Sequence, residues 1–305
     1  MWTIEYTASQ LVARHHGTLP VILTCPHNGD AGAPEGVPER NGQGLPSNCH
    51  FSTRPDLETR LITMGVAQRV LDICGEAPYV VIARFKRAFI DANRPRECAY
   101  EVPAAQPFYD AYHDTIRSFV DEIRAENGGL GLLFDIHGTV GIPSDPAALY
   151  LGTANGQTVA RLLRVDPKAL SRPRSLRGLL TAAGYVVSPQ PGRPETPTLD
   201  GGHTVRTYGS FNTDGLDAFQ IEIDDALRSR RDERNLLIDH LAHAIVSLVH
   251  RYADTHTMAA FQSVSLFGEQ GGDHYLWVDT YGRLRISATD PAHDSNAGTV
   301  VGTQA

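Results

Sequence analysis

No run of about 18 apolar residues occurs in the 305-residue sequence, which argues against a membrane-spanning helix. Basic clusters are missing as well. The formal net charge is −8 and the isoelectric point about 5.9, so the phosphate backbone of a nucleic acid is a poor partner. Cysteine is scarce. Cys25, Cys49, Cys74 and Cys98 stand far apart with no CxxC pair, the pattern of isolated reduced thiols rather than of a disulfide scaffold or a thiolate metal site. The opening residues MWTIEYTASQ lack the basic-then-apolar order of a secretory signal. Together these absences lead to the expectation of a cytoplasmic protein that meets neither membrane nor nucleic acid. There is no internal repeat or low-complexity block, and nothing specifies an oligomeric state.

What is present is a globular composition, 41% hydrophobic and 20% charged, enough for a sizeable core. Short apolar runs at 20–25, 79–84, 88–91, 130–136, 148–151 and 217–224 read as strands. Between them lie helical patterns: one from an N-cap at Asp56 to about Cys74, one opened by Pro107 and stopped by Gly128-Gly129, and others near 156–164, 174–184 and 231–253. Alternation of this kind predicts an α/β fold with a mixed, largely parallel central sheet flanked by helices. Two segments rich in glycine and proline, 28–55 and 188–202, are too long for plain connectors and read as functional loops. We expect a main domain over 1–256, a small antiparallel β appendage over 257–288 (runs at 261–267, 274–279 and 283–288) and a disordered tail over 289–305.

Three of the strands deliver polar residues. His27 follows the first, Asp135 and His137 close the middle one, and Glu222 lies in the last, between Ile221 and Ile223. Ligand sites in open α/β sheets gather at the carboxyl ends of strands. Two histidines with carboxylates there are the donor set of a catalytic zinc, which takes three protein ligands and leaves a position for water. A carboxylate beside that position can act as general base and then general acid, and Glu222 is the candidate. Each residue also has a plainer reading: a turn histidine, an orienting aspartate, a solvent-facing glutamate. An acid flanked by Phe219, Ile221 and Ile223, however, belongs to a strand buried on both faces and needs a partner.

Five motifs in order carry a resemblance. Pro26-His27-Asn28-Gly29 resembles the PHSG element of N-formylglutamate amidohydrolases. Arg87 to Pro95 is similar to that family's R-x-x-x-D-x-N-R-P. Asp135-Ile136-His137-Gly138 matches its D-x-H-[SG]. Gly201-Gly202 with His203, Arg206 and Tyr208-Gly209 is similar to its G-G-x-x-x-R-x-Y-G, and Gln220-Ile221-Glu222, followed by Leu227-Arg228, to its Q-x-E ending. The order and spacing hold over roughly residues 20–250. The resemblance implies a three-layer, phosphorylase/hydrolase-like α/β fold shared with zinc carboxypeptidases and aspartoacylase. It implies one zinc ion per chain held by His27, His137 and one acid, with Glu222 as base and a small carboxylate as substrate. Asn93, Arg94 and Arg87 become its grips, Arg87 also facing the oxyanion, which suits the bidentate fork of arginine. His203, Arg206 and Arg228 join the substrate-binding candidates.

The third ligand stays open between two acids. Asp30 gives His27-x-x-Asp30, similar to the H-x-x-E of the carboxypeptidase relatives, while Asp56 stands at the start of the following helix. One can be the ligand and the other can hold a histidine tautomer. The activity implied is hydrolysis of a small N-formyl or N-acyl amino acid. A metallo-carboxypeptidase or peptide amidase on the same site, and a non-catalytic carboxylate-binding protein, are the alternatives.

Overall fold

The computed structural model describes residues 3–253, 264–267, 273–278, 283–287 and 299–303. Strands β1 (Glu5–Tyr6), β2 (Val12–His15), β3 (Leu19–Cys25), β4 (Pro78–Ala83), β5 (Leu132–Thr139), β6 (Leu149–Gly152), β7 (Val187–Ser188) and β8 (Asp217–Asp224) form one eight-stranded sheet in the order β1-β2-β4-β3-β5-β8-β6-β7. The centre, β4-β3-β5-β8, is parallel; β1-β2, β2-β4 and β6-β8 pair antiparallel. Helices α1 (Thr59–Cys74), α2 (Arg96–Ala99), α3 (Gln106–Glu126), α4 (Ala160–Val165), α5 (Leu176–Ala182), α6 (His203–Tyr208), α7 (Asp225–Ser229) and α8 (Arg231–Tyr252) connect and flank it. The result is the three-layer α/β fold with a mixed, largely parallel sheet that the sequence implies.

Period-two alternation divides the sheet into two faces. Leu23, Phe134, Ile136, Phe219 and Ile221 pack with Ile62, Val66 and Val70 of α1 and Leu237, Leu241 and Ile245 of α8. Ile22, Leu133 and Ala218 pack on the other face with Tyr112, Ile116 and Phe119 of α3. On that second face the pattern turns polar toward the carboxyl ends. Thr24 follows Ile22, Asp135 and His137 follow Leu133, and Gln220 and Glu222 follow Ala218, each two residues on. The parallel register sets Asp135 beside Gln220 and His137 beside Glu222. One face thus carries core at one end and chemistry at the other.

Four expectations change. Residues 88–91 form no strand. They make a turn, Phe89 N–H donating to Lys86 O (2.9 Å) and Asp91 N–H to Ala99 O (2.9 Å), while Phe89 and Ile90 are buried from it. A short apolar run satisfied by packing alone needs no ladder. Helix α1 begins at Thr59 with Glu58 at its N-cap, because the Asp56 carboxylate is drawn inward to two histidines instead of capping. Cys49 and Cys98 are joined as a disulfide with their Cα atoms 5.5 Å apart, leaving Cys25 and Cys74 free. A separation of 49 residues gave the sequence no pairing signal.

Finally, β9 (Val264–Phe267), β10 (Asp273–Val278), β11 (Arg283–Ser287) and β12 (Thr299–Thr303) form a second, antiparallel sheet in the order β12-β11-β10-β9. Strand β12 falls in the expected disordered tail, where Thr299, Val300 and Val301 supply a β-branched run. The boundary placed at 256/257 and the rest of the tail lie outside the described residues. No helix among the described residues is long and apolar enough to cross a membrane.

Candidate metal centre and active site

The carboxyl ends of β3, β4, β5 and β8 open into a cavity of about 640 Å³. His27, Asp56 and His137 meet at its floor, all buried, with one ligand atom of each within 4.8 Å of the others. His27 Nδ1 and His137 Nδ1 each lie 3.2 Å from Asp56 Oδ2. The outer nitrogens are also taken: His27 Nε2 lies 2.7 Å from Asp91 Oδ1, and His137 Nε2 2.7 Å from Asp135 Oδ2. Each aspartate is fixed in turn. Asp91 accepts from Asn93 N–H (3.1 Å) and Arg87 Nε (2.9 Å), and Asp135 accepts from the Thr24 hydroxyl (2.6 Å).

This arrangement can be tested for a metal ion on its own hydrogen bonds. With both Nε2–H groups donating outward, both Nδ1 atoms carry lone pairs, and both face a carboxylate oxygen. Gly138 N–H donates to Asp56 Oδ2 (3.1 Å), but the two Nδ1 lone pairs still face that oxygen in a buried place, an arrangement that favours a cation among them, a proton or a metal ion. Burial works against the charged form of His137, yet Asp135, Asp56 and Glu222 outweigh it and raise its pKa well above the ordinary value. Burial likewise opposes ionisation of Asp56, but His27 and His137 prevail and hold it well below the usual carboxylate range. The donor set fits a divalent ion bound through nitrogen and oxygen.

Beside this group stands Glu222, opposite His137 in the sheet and buried; burial pushes its pKa up. Gln220 Nε2 donates to Glu222 Oε1 (3.0 Å), while Gln220 Oε1 accepts from Gly202 N–H (2.6 Å). Asn93 Oδ1 accepts from Thr204 N–H (2.8 Å), and its Nδ2 lies 3.1 Å from His137 Nε2 and 3.4 Å from Gln220 Oε1. A Cβ at Gly202 would stand 2.2 Å from the Asn93 amide, so this contact requires glycine. Gly29 has the same role behind His27, since a Cβ there would meet Phe85 O at 2.1 Å.

Nine of the eleven residues singled out from the sequence line this cavity: His27, Asp56, Arg87, Asn93, Arg94, His137, His203, Arg206 and Glu222. Arg87 is no surface pair; its guanidinium is held by Asp91 and, at 3.5 Å, by Asp56 Oδ1. Arg94 spends Nε on His50 O (3.0 Å) and one terminal nitrogen on Asn93 O (2.9 Å); among the described residues the other has no hydrogen-bond partner. His203 Nε2 donates to the Tyr109 hydroxyl (3.1 Å), and burial lowers its pKa. Arg206 bonds Gly201 O (2.8 Å) and Asp200 (3.1 Å) at the rim.

Two candidates lie elsewhere. Asp30 is exposed, pairs with Arg60 (2.8 Å) and is not in the metal group, so the open choice of acid goes to Asp56. The chain turns outward after Gly29, which carries Asp30 away. Arg228 is buried but bonds backbone, donating to Ile223 O (2.9 Å), Thr139 O (3.1 Å) and Leu57 O. It pins the end of β5 and the approach to α1 instead of facing ligand. Sequence reasoning missed Asp91 and Gln220 as parts of the site, although both stand in the motifs; period-two counting from Glu222 points to Gln220.

A three-layer α/β fold with a buried His–Asp–His group at its strand ends is the class this chain defines. N-formylglutamate amidohydrolase from Ralstonia eutropha JMP134 is a solved structure with this fold, at TM-score 0.54 and 14% identity over 82% of this chain and 97% of that one. A gene product of Agrobacterium tumefaciens follows at TM-score 0.53 and 17% identity over 78% and 94%. At these identities the likeness shows the fold. Residues 196–303 match a family model described as capsule depolymerase. No curated protein matches the sequence.

Proposed function

We propose that this protein is a metal-dependent amidohydrolase cleaving the linear amide of a small N-formyl or N-acyl amino acid, with N-formyl-L-glutamate the first substrate to try. One observation carries the reading: a buried His27–Asp56–His137 group shares a cavity with a buried glutamate in register with His137 and with arginines able to hold a carboxylate. Those three residues would hold one zinc ion. Bound there, it supplies Lewis acidity to a water molecule and to the scissile carbonyl. Glu222 takes the proton from the attacking water and returns it to the amide nitrogen as the C–N bond breaks; its raised pKa suits both transfers. Arg87 offers positive charge to the developing oxyanion. Arg94, steadied by Asn93, grips the substrate carboxylate and fixes its orientation. His203 and Arg206 complete the polar wall.

A longer, peptide-like amide is a second reading, supported by the size of the cavity, about 640 Å³. Turnover of N-formyl-L-glutamate compared with short γ-glutamyl peptides separates the two. The deciding experiment is metal content per chain, by mass spectrometry, for wild type and His137→Ala, paired with that turnover. One zinc in the wild type, lost in the variant, with hydrolysis, supports the proposal. No metal in either sample after zinc is supplied sinks it in favour of a non-catalytic carboxylate binder. The cytoplasmic placement expected from the sequence is likewise a proposal, and the Cys49–Cys98 disulfide pulls against it, because the cytosol keeps thiols reduced.

A further inference from the structure

We propose that the Cys49–Cys98 disulfide is a thiol-responsive latch that sets how tightly the cavity holds its substrate. Cys49 belongs to the segment between β3 and α1 that has no helix or strand, and Cys98 sits on α2. Both line the cavity, next to Asn48 and His50. Cys98 is buried and Cys49 half-buried, so a reductant small enough to enter the cavity meets the bond from that side.

What the latch holds is the binding wall. His50, next to Cys49, gives its carbonyl to Arg94 Nε at 3.0 Å. Upstream, Glu101 Oε1 accepts from Asn41 and Gly42 N–H (2.9 and 2.6 Å); downstream, Arg40 donates to Ser52 O (2.6 Å). Between these two anchors, among the described residues, the hydrogen bonds of 43–49 stay local (Cys49 N–H to Pro46 O, 3.0 Å; Gln43 N–H to Asn41 Oδ1, 2.8 Å). The disulfide and the His50–Arg94 hydrogen bond tie this stretch to the body. His27, His137 and Glu222 are held through β3, β5 and β8, and Asp56, which comes from the same segment as Cys49, is fastened separately, its N–H donating to His27 O (3.0 Å) and its Oδ2 accepting from Gly138 N–H (3.1 Å). Opening the bond therefore loosens Arg94 and its wall while leaving the reacting groups in place.

The chemistry is thiol–disulfide exchange with a dithiol. One thiolate of the dithiol attacks a cystine sulfur, the S–S bond breaks, and a mixed disulfide forms with release of one cysteine thiolate. The second thiolate of the dithiol displaces the other cysteine and closes the dithiol's own disulfide. Two electrons pass to Cys49 and Cys98, which take up the two protons and leave as thiols. The latch is then closed in an oxidising compartment and open in a reducing one.

The inference rests on the proposed function for the role of Arg94 and for its kinetic readout, so two measurements are made on the full-length zinc-loaded protein. A water-soluble phosphine serves as reductant, since dithiols also bind zinc; it takes oxygen from water to become the phosphine oxide as the cystine is reduced. Alkylation in denaturant counts two free thiols before reduction and four after. With N-formyl-L-glutamate, KM rises about tenfold on reduction, the size of one lost hydrogen bond to a charged group, and kcat stays within about twofold. Reoxidation restores KM, and the Cys49→Ser, Cys98→Ser double variant keeps the high KM with or without phosphine. Hydrogen exchange supplies the readout that needs no substrate: amides of residues 43–50 exchange about tenfold faster after reduction, while β5 and β8 do not change. Unchanged exchange, an unchanged KM in a turnover-competent protein, or four thiols before reduction overturns the latch. Faster exchange in a protein that hydrolyses no N-acyl amino acid sinks the hydrolase reading and leaves the latch standing.

Discussion

The two halves of the cavity are built by opposite means. In the proposed mechanism the reacting half is His27, His137 and Glu222, at the ends of buried parallel strands, with Asp56 brought to them from the segment before α1, and each of these side chains is held by at least one buried polar neighbour. The binding half, His50, Arg94, His203 and Arg206, comes from the 28–58 segment, the turn after β4 and the short α6, and its bonds run mostly to backbone carbonyls. The first half is pre-organised for chemistry that tolerates little displacement. The second is free to vary with the ligand, as loops on a rigid scaffold commonly are.

That contrast can be broken where it is strongest. Glu222→Gln keeps its metal and loses at least about a hundredfold in kcat, read by metal analysis beside turnover; activity near wild type removes Glu222 as base. Asp91→Asn withdraws the acceptor that fixes His27, and zinc affinity measured by chelator competition falls about ten- to a hundredfold. If affinity is unmoved, the buried half is not held the way the hydrogen bonds imply.

A pH effect comes from beneath the binding half. His113 is buried, Nε2–H donating to Ala92 O (3.0 Å) and Nδ1 lying 3.0 Å from the Tyr208 hydroxyl, which itself donates to His113 O (2.9 Å). Burial, then neighbouring His203, lowers its pKa to about 3. Unfolded, it takes up a proton near 6.5, so the unfolded state binds more protons between those values and stability falls as pH drops through that window. From pH 6.5 to 5 the loss is about 2 kcal/mol, and His113→Gln should remove that part of the slope in urea unfolding at several pH values. An identical slope in the variant returns the acid sensitivity to the carboxylates.

Smaller effects sharpen the other side. Arg94→Ala raises KM for acidic substrates about tenfold with little change in kcat, the signature of binding lost equally in ground and transition states. A fall in kcat instead would join Arg94 to the reacting half. Smallest of all is Asp30→Ala. Its exposed pair with Arg60 is worth under about 1 kcal/mol, and zinc content and kcat should not move. Loss of zinc there would restore Asp30 as a ligand.

Much of this was legible before any coordinates. The run Asp217–Asp224 is a strand with the expected boundaries, and the α3 stripe of Tyr109, Tyr112, Ile116, Phe119 and Ile123 is buried as its period requires. Motif order gathered eight residues that do line one cavity, and Asp56, the acid before the following helix, joins them. Less visible was anything set by where a loop goes next. Asp30 and Asp56 are both acids near a strand-to-helix connection, and only the path after Gly29 separates them. Arg228 follows its motif faithfully, yet its guanidinium stacks against Gly138 and bonds three carbonyls.

By itself the sequence determined the α/β architecture, the strands whose ends carry polar residues, and most of the group of residues that gathers there. Period and motif order are local properties of the chain, and they suffice for that. Tertiary structure alone decided that Asp56 and not Asp30 joins the histidines, that Asp91 and Asp135 orient them, and that Cys49 meets Cys98 across 49 residues. Those pairings depend on distances between segments remote in the chain, which become fixed only when the sheet and its helices close around them.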